Sequence, residues 1–137
     1  MGQHALEEVA PESRDRLRRL TVALGGARAG WGERGEVVLD GGVAYVDRDP
    51  VLVRVRKRAH RYTVDDDGGA VARAGRPSGW HELARRIAEE EYWLNVNRRG
   101  VVCVPAVEGG VDLAWLSLRT ADASAAVYQA LLELDDE

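Results

Sequence analysis

A strongly basic strip between Val51 and Val64 is the first candidate for chemistry in this sequence. It reads "VLVRVRKRAHRYTV" and contains no acidic residue. As a single β-strand it would present every second side chain on one face, at a spacing of about 6.6 Å. Five side chains share that face: Arg54, Arg56, Arg58, His60 and Tyr62. Because arginine binds phosphate through paired hydrogen bonds and tyrosine stacks on bases, the face is a candidate anion- or nucleic-acid-binding surface.

Two other interpretations of the basic strip stay open. Its arginines are also typical of a solvated strand face, where they pair with acids on neighbouring strands, or of a surface that docks an acidic protein. The whole chain has 19 Lys and Arg against 23 Asp and Glu, a net charge of −4. That balance is opposite to the one expected of a dedicated nucleic-acid-binding protein. Lys57 and Arg61 fall on the core-facing side, which predicts a bulge near Lys57.

Three consecutive acids, Asp65, Asp66 and Asp67, follow the basic strip. Adjacent residues of an extended chain point to alternate sides, whereas a calcium loop needs carboxylates at every second position. Two glycines come next, so the segment predicts a turn, and we expect neither a metal nor a cofactor. A small metal-dependent hydrolase built around His60 and Asp66 is kept as an alternative.

Two other reactive residue types have ordinary interpretations. His81 and Glu82 are adjacent on a predicted helix, where sequence neighbours do not face each other, so we assign no catalytic residue there. The single cysteine, Cys103, lies in the apolar segment "VVCVP". Apolar surroundings raise the pKa of a thiol and leave it unreactive.

A second hairpin is predicted from "YWLNVNRRGVVCVPA", with Arg98, Arg99 and Gly100 at its turn. Asn95 and Asn97 alternate with apolar residues, as on a half-exposed strand. If the two hairpins lie side by side, Arg98 and Arg99 extend the anion- or nucleic-acid-binding surface.

The C-terminal segment, residues 112–134, contains no Gly or Pro and predicts one long helix. Its main apolar stripe recurs at spacings of three and four residues. Trp115 and Leu118 lie on the opposite side, which Leu132 extends. A helix that is apolar on two sides needs two neighbours. The second neighbour is either the N-terminal helix or another chain, so these three residues are candidate protein-interface anchors for a partner or a second copy.

The remaining elements predict an α+β fold. A helix is expected from Pro11 to the Gly25–Gly26 pair, and a middle helix over 80–92. Two β-branched runs flank Asp40-Gly41-Gly42, which predicts a hairpin turn there, and a further turn is expected at 47–50. The expected architecture is an antiparallel sheet of about five strands, with an N-terminal, a middle and a long C-terminal helix packed mainly on one face.

Size and composition predict one domain over residues 1–137. It would comprise a flexible arm at 1–10, a globular part at 11–134 and an acidic tail at 135–137. Hydrophobic residues make up 45% of the chain and charged residues 31%, as in ordinary globular proteins. The sequence has no apolar run of membrane-spanning length and no secretory signal pattern. With one cysteine, a reducing cytoplasm is the expected location.

The segment "AYVDRDPVLVRVRKRAHRYTVDDDGGAV" resembles the core of a small prokaryotic domain family of unknown function, found in phage and mobile-element proteins. The resemblance consists of an aspartate-bearing turn, a hydrophobic strand and the pattern Tyr-x-hydrophobic-x-Asp-Asp-Gly. The matching residues are Asp47, Asp49, Tyr62, Val64, Asp66, Asp67 and Gly68. The order of elements also fits over about residues 43–134. The resemblance implies a fold, and it implies no activity because the family has no assigned chemistry.

Together these patterns favour a small non-catalytic cytoplasmic protein that binds or regulates through a protein–protein interface, formed by self-association or with a partner. The first alternative is a nucleic-acid-binding protein that uses the basic strand over 54–62. The second is the metal-dependent hydrolase named above. We expect no membrane association.

Overall fold

Strands and helices follow each other in a mixed order in the computed structural model, which describes residues 11–27, 35–58, 61–108 and 112–135. The helices are α1 (Pro11–Ala27), α2 (Gly69–Ala74), α3 (Trp80–Arg86), which continues into a π-helical turn (Ile87–Glu91), and α4 (Leu113–Asp135). The strands are β1 (Glu36–Ala44), β2 (Pro50–Arg58), β3 (Arg61–Asp65), β4 (Asn95–Val96) and β5 (Val102–Glu108). No helix in these ranges is both long enough and apolar enough to span a lipid bilayer.

The described strands form one antiparallel sheet in the order β1-β2-β3-β5-β4. Side chains alternate along each strand, so the register of the strand pairs shows which side chains share each face of the sheet. Val37, Val55, Val64 and Val104 lie in one row across the inner face. The neighbouring row, on the outer face, holds Val38, Arg54, Asp65, Cys103 and Asn95. The sheet therefore has an apolar side and a charged side.

The long helix α4 lies over the inner face of the sheet and is the centre of the core. It contacts β1, β2, β3 and β5, and helices α1, α2 and α3 all pack against it. Leu118, Ala121, Val127 and Leu131 of α4 are buried. The expected α+β class, with an N-terminal helix and a long C-terminal helix over a five-stranded antiparallel sheet, is confirmed.

The prediction of one long strand through the basic strip is wrong. The segment is a hairpin in which β2 ends at Arg58 and β3 begins at Arg61. The predicted bulge near Lys57 is also wrong, because Lys57 pairs with Tyr62 in the regular register of β2 and β3. Turning back puts Val64 beside Val55 on the inner face, where both side chains are completely buried. A single extended strand would have left Val64 without that neighbour.

The predicted hairpin turn at Asp40-Gly41-Gly42 is also wrong, because β1 runs through these residues with a register shift between Asp40 and Ala44. A Cβ on Gly41 would collide with the Cβ of Ala121, so the glycine lets α4 lie directly on the strand. Gly42 takes a left-handed backbone, φ 79°, and donates its N–H to the Asp40 carboxylate. The two glycines make a bulge for helix packing, and the chain turns later, over 45–49.

The remaining helices and turns agree with the sequence predictions, apart from one short helix that was not predicted. The hairpin turn at Arg98-Arg99-Gly100 is confirmed, with Gly100 at φ 85°. The C-terminal helix is confirmed over Leu113–Asp135, and the N-terminal helix runs past Gly25–Gly26 to Ala27. The predicted middle helix is present, although its second half is a π-helical turn. The short helix α2 was not predicted, because six residues that follow two glycines have little helical pattern of their own.

The contact between Gly41 and α4 gives the first testable prediction. We expect Gly41→Ala to lower the free energy of unfolding by about 1–3 kcal/mol, because the added methyl group overpacks the contact with Ala121. Ala121→Gly alone should cost about 1 kcal/mol of helix propensity, yet in the Gly41→Ala background it should restore stability. Urea unfolding of both single variants and the double variant measures this coupling. Strictly additive effects would contradict the direct contact.

Candidate functional site

Two arginines of the basic strip, Arg54 and Arg56, form ion pairs with acids of the next strand and turn. Arg54 places its Nε 3.1 Å from Asp65 Oδ1 and its Nη2 3.1 Å from Asp67 Oδ1. Arg56 Nη2 lies 3.3 Å from the other oxygen of Asp65. The Asp65 side chain is only 3% exposed, so its charge is held between the two guanidinium groups. Burial acts to lower the pKa of Arg54, but the hydrogen bond and charge of Asp65 outweigh it and raise that pKa.

The other members of the predicted anion- or nucleic-acid-binding surface lie apart from Arg54 and Arg56. Tyr62 is on β3 and half-buried, with the Lys57 ammonium 5.9 Å from its ring centroid. Arg98 and Arg99 are exposed in the β4–β5 turn, and β3 separates them from β2. His60 and the side chain of Arg58 lie outside the described residues. The structure thus brings Arg54 and Arg56 together, but around a carboxylate.

A buried carboxylate, Asp66, lies at the junction of β3, α2, β5 and α4. Its Oδ1 accepts the N–H groups of Gly68 and Val102, both at 2.9 Å. Its Oδ2 accepts the Ser124 hydroxyl at 2.7 Å and the Ala70 N–H at 3.5 Å. Asp66 therefore satisfies N–H groups at the start of α2 and ties that helix to β5 and α4.

Tyr45 extends the Asp66 network to the β1–β2 turn. Its hydroxyl lies 2.8 Å from Ser124 Oγ and packs against Gly69, where a Cβ would come within 2.7 Å of it. Burial raises the pKa of Tyr45 and also that of Asp66, where the donors from Ser124 and the backbone only partly offset it. No cation is among the hydrogen-bond partners of Asp66. Hydrogen bonds thus join Tyr45, Ser124 and Asp66 in one buried network.

A cleft of about 340 Å³ opens beside this network. Its polar lining includes Arg54, Asp66, Asp67 and Arg73. The Arg73 guanidinium lies 4.6 Å from the Tyr45 ring centroid and 2.8 Å from carboxylate oxygens of both Asp47 and Asp49. At the cleft Arg54 is thus paired with Asp67, while Arg73 is paired with two aspartates of the β1–β2 turn.

The turn predicted at the run of three aspartates is confirmed, and the middle carboxylate has partners different from those of its two neighbours, which share Arg54. Asp65 and Asp67 bond arginines, whereas Asp66 bonds backbone N–H groups and Ser124. Asp67 and Gly68 take left-handed backbones, φ 54° and 75°, as a turn requires. Across the part of the chain that the structure describes, no three His, Cys, Asp or Glu side chains are grouped to hold a metal. His60, needed for the hydrolase alternative, lies outside that part.

The two remaining reactive residues occupy packed positions. The His81 ring packs edge-on against Trp80 at 5.1 Å, and its Nε2 is buried without a hydrogen-bond partner among the described residues. Cys103 is half-buried on the outer face, and burial followed by the charges of Asp65 and Asp66 raises its thiol pKa. The apolar surroundings expected from the sequence are not found, because Cys103 lies opposite Asp65 on the charged face of the sheet.

The three predicted interface anchors on α4 have different environments. Leu118 is buried, so it is not available on the surface of the chain, whereas Trp115 and Leu132 are half-buried. The Arg119 guanidinium lies between two aromatic rings, 5.9 Å from the centroid of Trp115 and 5.8 Å from that of Tyr92. Arg119 Nε also donates to the Tyr92 carbonyl at 2.7 Å, so it caps the end of the π-helical turn.

The residue after Tyr92, Trp93, was not predicted and is the most exposed large hydrophobic side chain described, at 83%. Its backbone is left-handed, φ 59°. Leu94 N–H bonds back to the Ala88 carbonyl at 2.9 Å, and Trp93 N–H to the Glu89 carbonyl at 3.2 Å. This is the helix-ending motif that usually places glycine where Trp93 stands. The sequence has no glycine between the helix and β4. That was the available sign that a residue other than glycine ends the helix in this conformation. We call Tyr92, Trp93 and Trp115 the aromatic surface.

Comparison of the chain with protein-family models, with curated protein sequences and with solved structures finds no match. The resemblance to the phage and mobile-element domain family therefore stays a prediction.

The buried position of Asp66 predicts a particular pH dependence of stability. Its pKa is raised in the folded chain and returns to about 3.8 in the unfolded chain. Above the unfolded value the folded chain retains a proton that the unfolded chain has released, so stability falls as pH rises through this window. Asp66→Asn removes this loss.

We therefore expect the free energy of unfolding of the wild type, relative to Asp66→Asn, to be highest at acidic pH and to decrease as pH rises above the ordinary aspartate pKa. Urea unfolding of both proteins over a pH series checks this. A difference that stays constant, or grows with pH, would show that the four donors hold the carboxylate ionised.

The left-handed backbone of Trp93 predicts that the native residue lowers stability. We expect Trp93→Gly to raise the free energy of unfolding by about 1 kcal/mol, because glycine adopts this conformation without strain and little buried surface is lost. Trp93→Ala keeps the strain and removes only the indole, so it should leave stability nearly unchanged. Urea unfolding measures both. A clear loss of stability in Trp93→Ala would mean that the indole packs against the fold.

Proposed function

We propose that this chain is a small non-catalytic cytoplasmic protein that acts by binding another protein chain through the aromatic surface. The observation that carries the proposal is Trp93, a tryptophan in a left-handed position with 83% of its surface exposed. Neither the strain nor the exposure helps folding. Both are typical of a position retained for an interaction.

The surroundings of Trp93 support the proposal. It follows a π-helical turn, an irregularity found frequently at functional sites. The Arg119 guanidinium lies near both the Tyr92 and the Trp115 rings, and Trp93 is the next residue along the chain from Tyr92. Tryptophan, tyrosine and arginine are the residue types that most often dominate binding energy at protein interfaces.

The two alternatives receive less support. Nucleic-acid binding through the basic strip would use Arg54 and Arg56, whose charges are paired with Asp65 and Asp67. A phosphate would have to displace carboxylates that are already well placed. The hydrolase would use Asp66, whose oxygens are fully engaged by Ser124 and backbone N–H groups.

Site-specific photo-crosslinking tests the proposed function even when the identity of the partner is unknown. Benzoylphenylalanine replaces Trp93 in one protein and Val22, which is 75% exposed on α1, in a matched control. Each is expressed in cells that naturally make the chain and then irradiated. We expect a discrete protein adduct from position 93 that position 22 does not give. An adduct of twice the chain mass would identify a second copy.

Two results would contradict the proposal. One is the absence of any adduct from position 93. The other is the same set of adducts from both positions, which would indicate random collisions with abundant proteins.

A further inference from the structure

The outer face of the sheet carries charges that alternate in sign from strand to strand. Asp65 on β3 is negative, and Arg54 and Arg56 on β2 are positive. On β1, Glu36 is directly opposite Arg56 and adds to the field that raises the pKa of Arg54. Asp40 lies further along the same face of β1. The charges on this face are thus negative on β3, positive on β2 and negative on β1. A strand added beside β1 would continue this alternation only if it were basic.

Strand β1 forms one edge of the sheet among the described strands, and its register shows which backbone groups face outwards. Lys57 N–H donates to the carbonyl of Gly35, which is its direct partner in the β1–β2 register. In an antiparallel pair every second opposed pair is hydrogen-bonded, so Val37 and Leu39 also bond to β2. The N–H and C=O groups of Glu36, Val38 and Asp40 then point away from β2.

The side chains of these three residues are also accessible. Glu36 and Asp40 are exposed, and Val38 is 56% exposed on the outer face between them. Leu52 on β2 is 49% exposed beside this stretch. Glu36, Val38 and Leu52 all line the cleft of about 340 Å³. An extended segment along β1 would find backbone partners, an apolar contact and two carboxylates.

Beyond residue 40 the same edge is closed by the protein itself. Arg16 on α1 donates from Nε and Nη2 to the Gly41 carbonyl, at 3.1 and 2.8 Å, and its Nη2 also lies 2.9 Å from Asp122. The bulge at Gly41–Gly42 and this arginine stop further pairing, which is a usual way to protect a sheet edge. Only the short stretch Glu36–Asp40 is left for a partner.

We propose that Glu36–Asp40 binds an extended basic segment of a partner protein as an additional strand, with Lys or Arg opposite the two carboxylates and an apolar residue opposite Val38. Backbone hydrogen bonds contribute affinity in this mode and the alternating side chains contribute specificity. The proposal goes beyond the function proposed above, because it uses neither Trp93 nor Trp115.

A second copy of the chain fits this edge poorly. An antiparallel pairing of two β1 strands centred on Val38 places Glu36 of each copy opposite Asp40 of the other. Like charges directly opposite each other destabilise a strand pair, whereas opposite charges stabilise it. The charge pattern therefore favours a basic partner.

Fluorescence anisotropy with a labelled probe peptide tests the inference. The probe is the seven-residue peptide Thr-Lys-Thr-Val-Thr-Lys-Thr with blocked ends, in which both lysines and the valine lie on one face of a strand. It is titrated with the full chain at low and at physiological salt. We expect saturable binding to the wild type, and about tenfold or greater weakening in Glu36→Lys/Asp40→Lys, because two favourable cross-strand pairs become unfavourable. The matched control, Glu82→Lys/Glu133→Lys, makes the same change of net charge at two exposed helix positions and should bind like the wild type.

A second probe separates strand addition from simple charge attraction. It has the same sequence with alternate backbone nitrogens methylated, so it keeps its charge but cannot pair along a strand edge. We expect its binding to be lost.

Absence of binding by the first probe at low salt would overturn the inference. So would equal weakening in the control variant, or unchanged binding of the methylated peptide. None of these results bears on crosslinking from position 93, so the two proposals fail separately.

Discussion

The fold depends on one buried carboxylate, Asp66. It follows the last residue of β3, accepts N–H groups from α2 and β5, and accepts the Ser124 hydroxyl from α4. Through Ser124 it also fixes Tyr45 at the β1–β2 turn. Burying an isolated charge is strongly unfavourable, and the four donors offset part of that penalty because each element holds its donor in place. The carboxylate thus makes the sheet and the helices depend on each other.

The pairing of carboxylates with fixed donors also explains why Arg54 and Arg56 of the basic strip are not free cations. β2 and β3 are joined as a hairpin, which brings the acids that follow the strip back beside its arginines, with Asp65 opposite Arg54. Charges that are distant along an extended strand become direct neighbours once the chain reverses. The run of basic residues in the sequence therefore reflects the pairing of β2 with β3. The electrostatic potential of the folded surface does not follow from that run.

Much of the architecture follows from sequence pattern, and the errors have identifiable causes. The periodicity of α4 and the turn at Gly100 are local properties, so they were predictable. Gly41 was misassigned because its role is set by Ala121, which is distant along the chain, and no local pattern records that contact. For the candidate sites, the helical periodicity placed Trp115 and Leu118 on the same side of α4. Neighbouring residues cover Leu118, which the periodicity alone does not show. Trp93 was missed because its exposure depends on how the middle helix ends.

The π-helical turn at the end of the middle helix affects how the chain tolerates insertions. A π-helical turn contains one more residue than the hydrogen-bonded turn of an α-helix, so it absorbs an insertion without altering the residues on either side. Ala84 is buried before the turn, Ala88 within it and Leu94 after it. The other residues at the end of the turn, Glu89, Glu90 and Glu91, are exposed. The segment can therefore change in length and in its exposed residues while the same side chains stay buried.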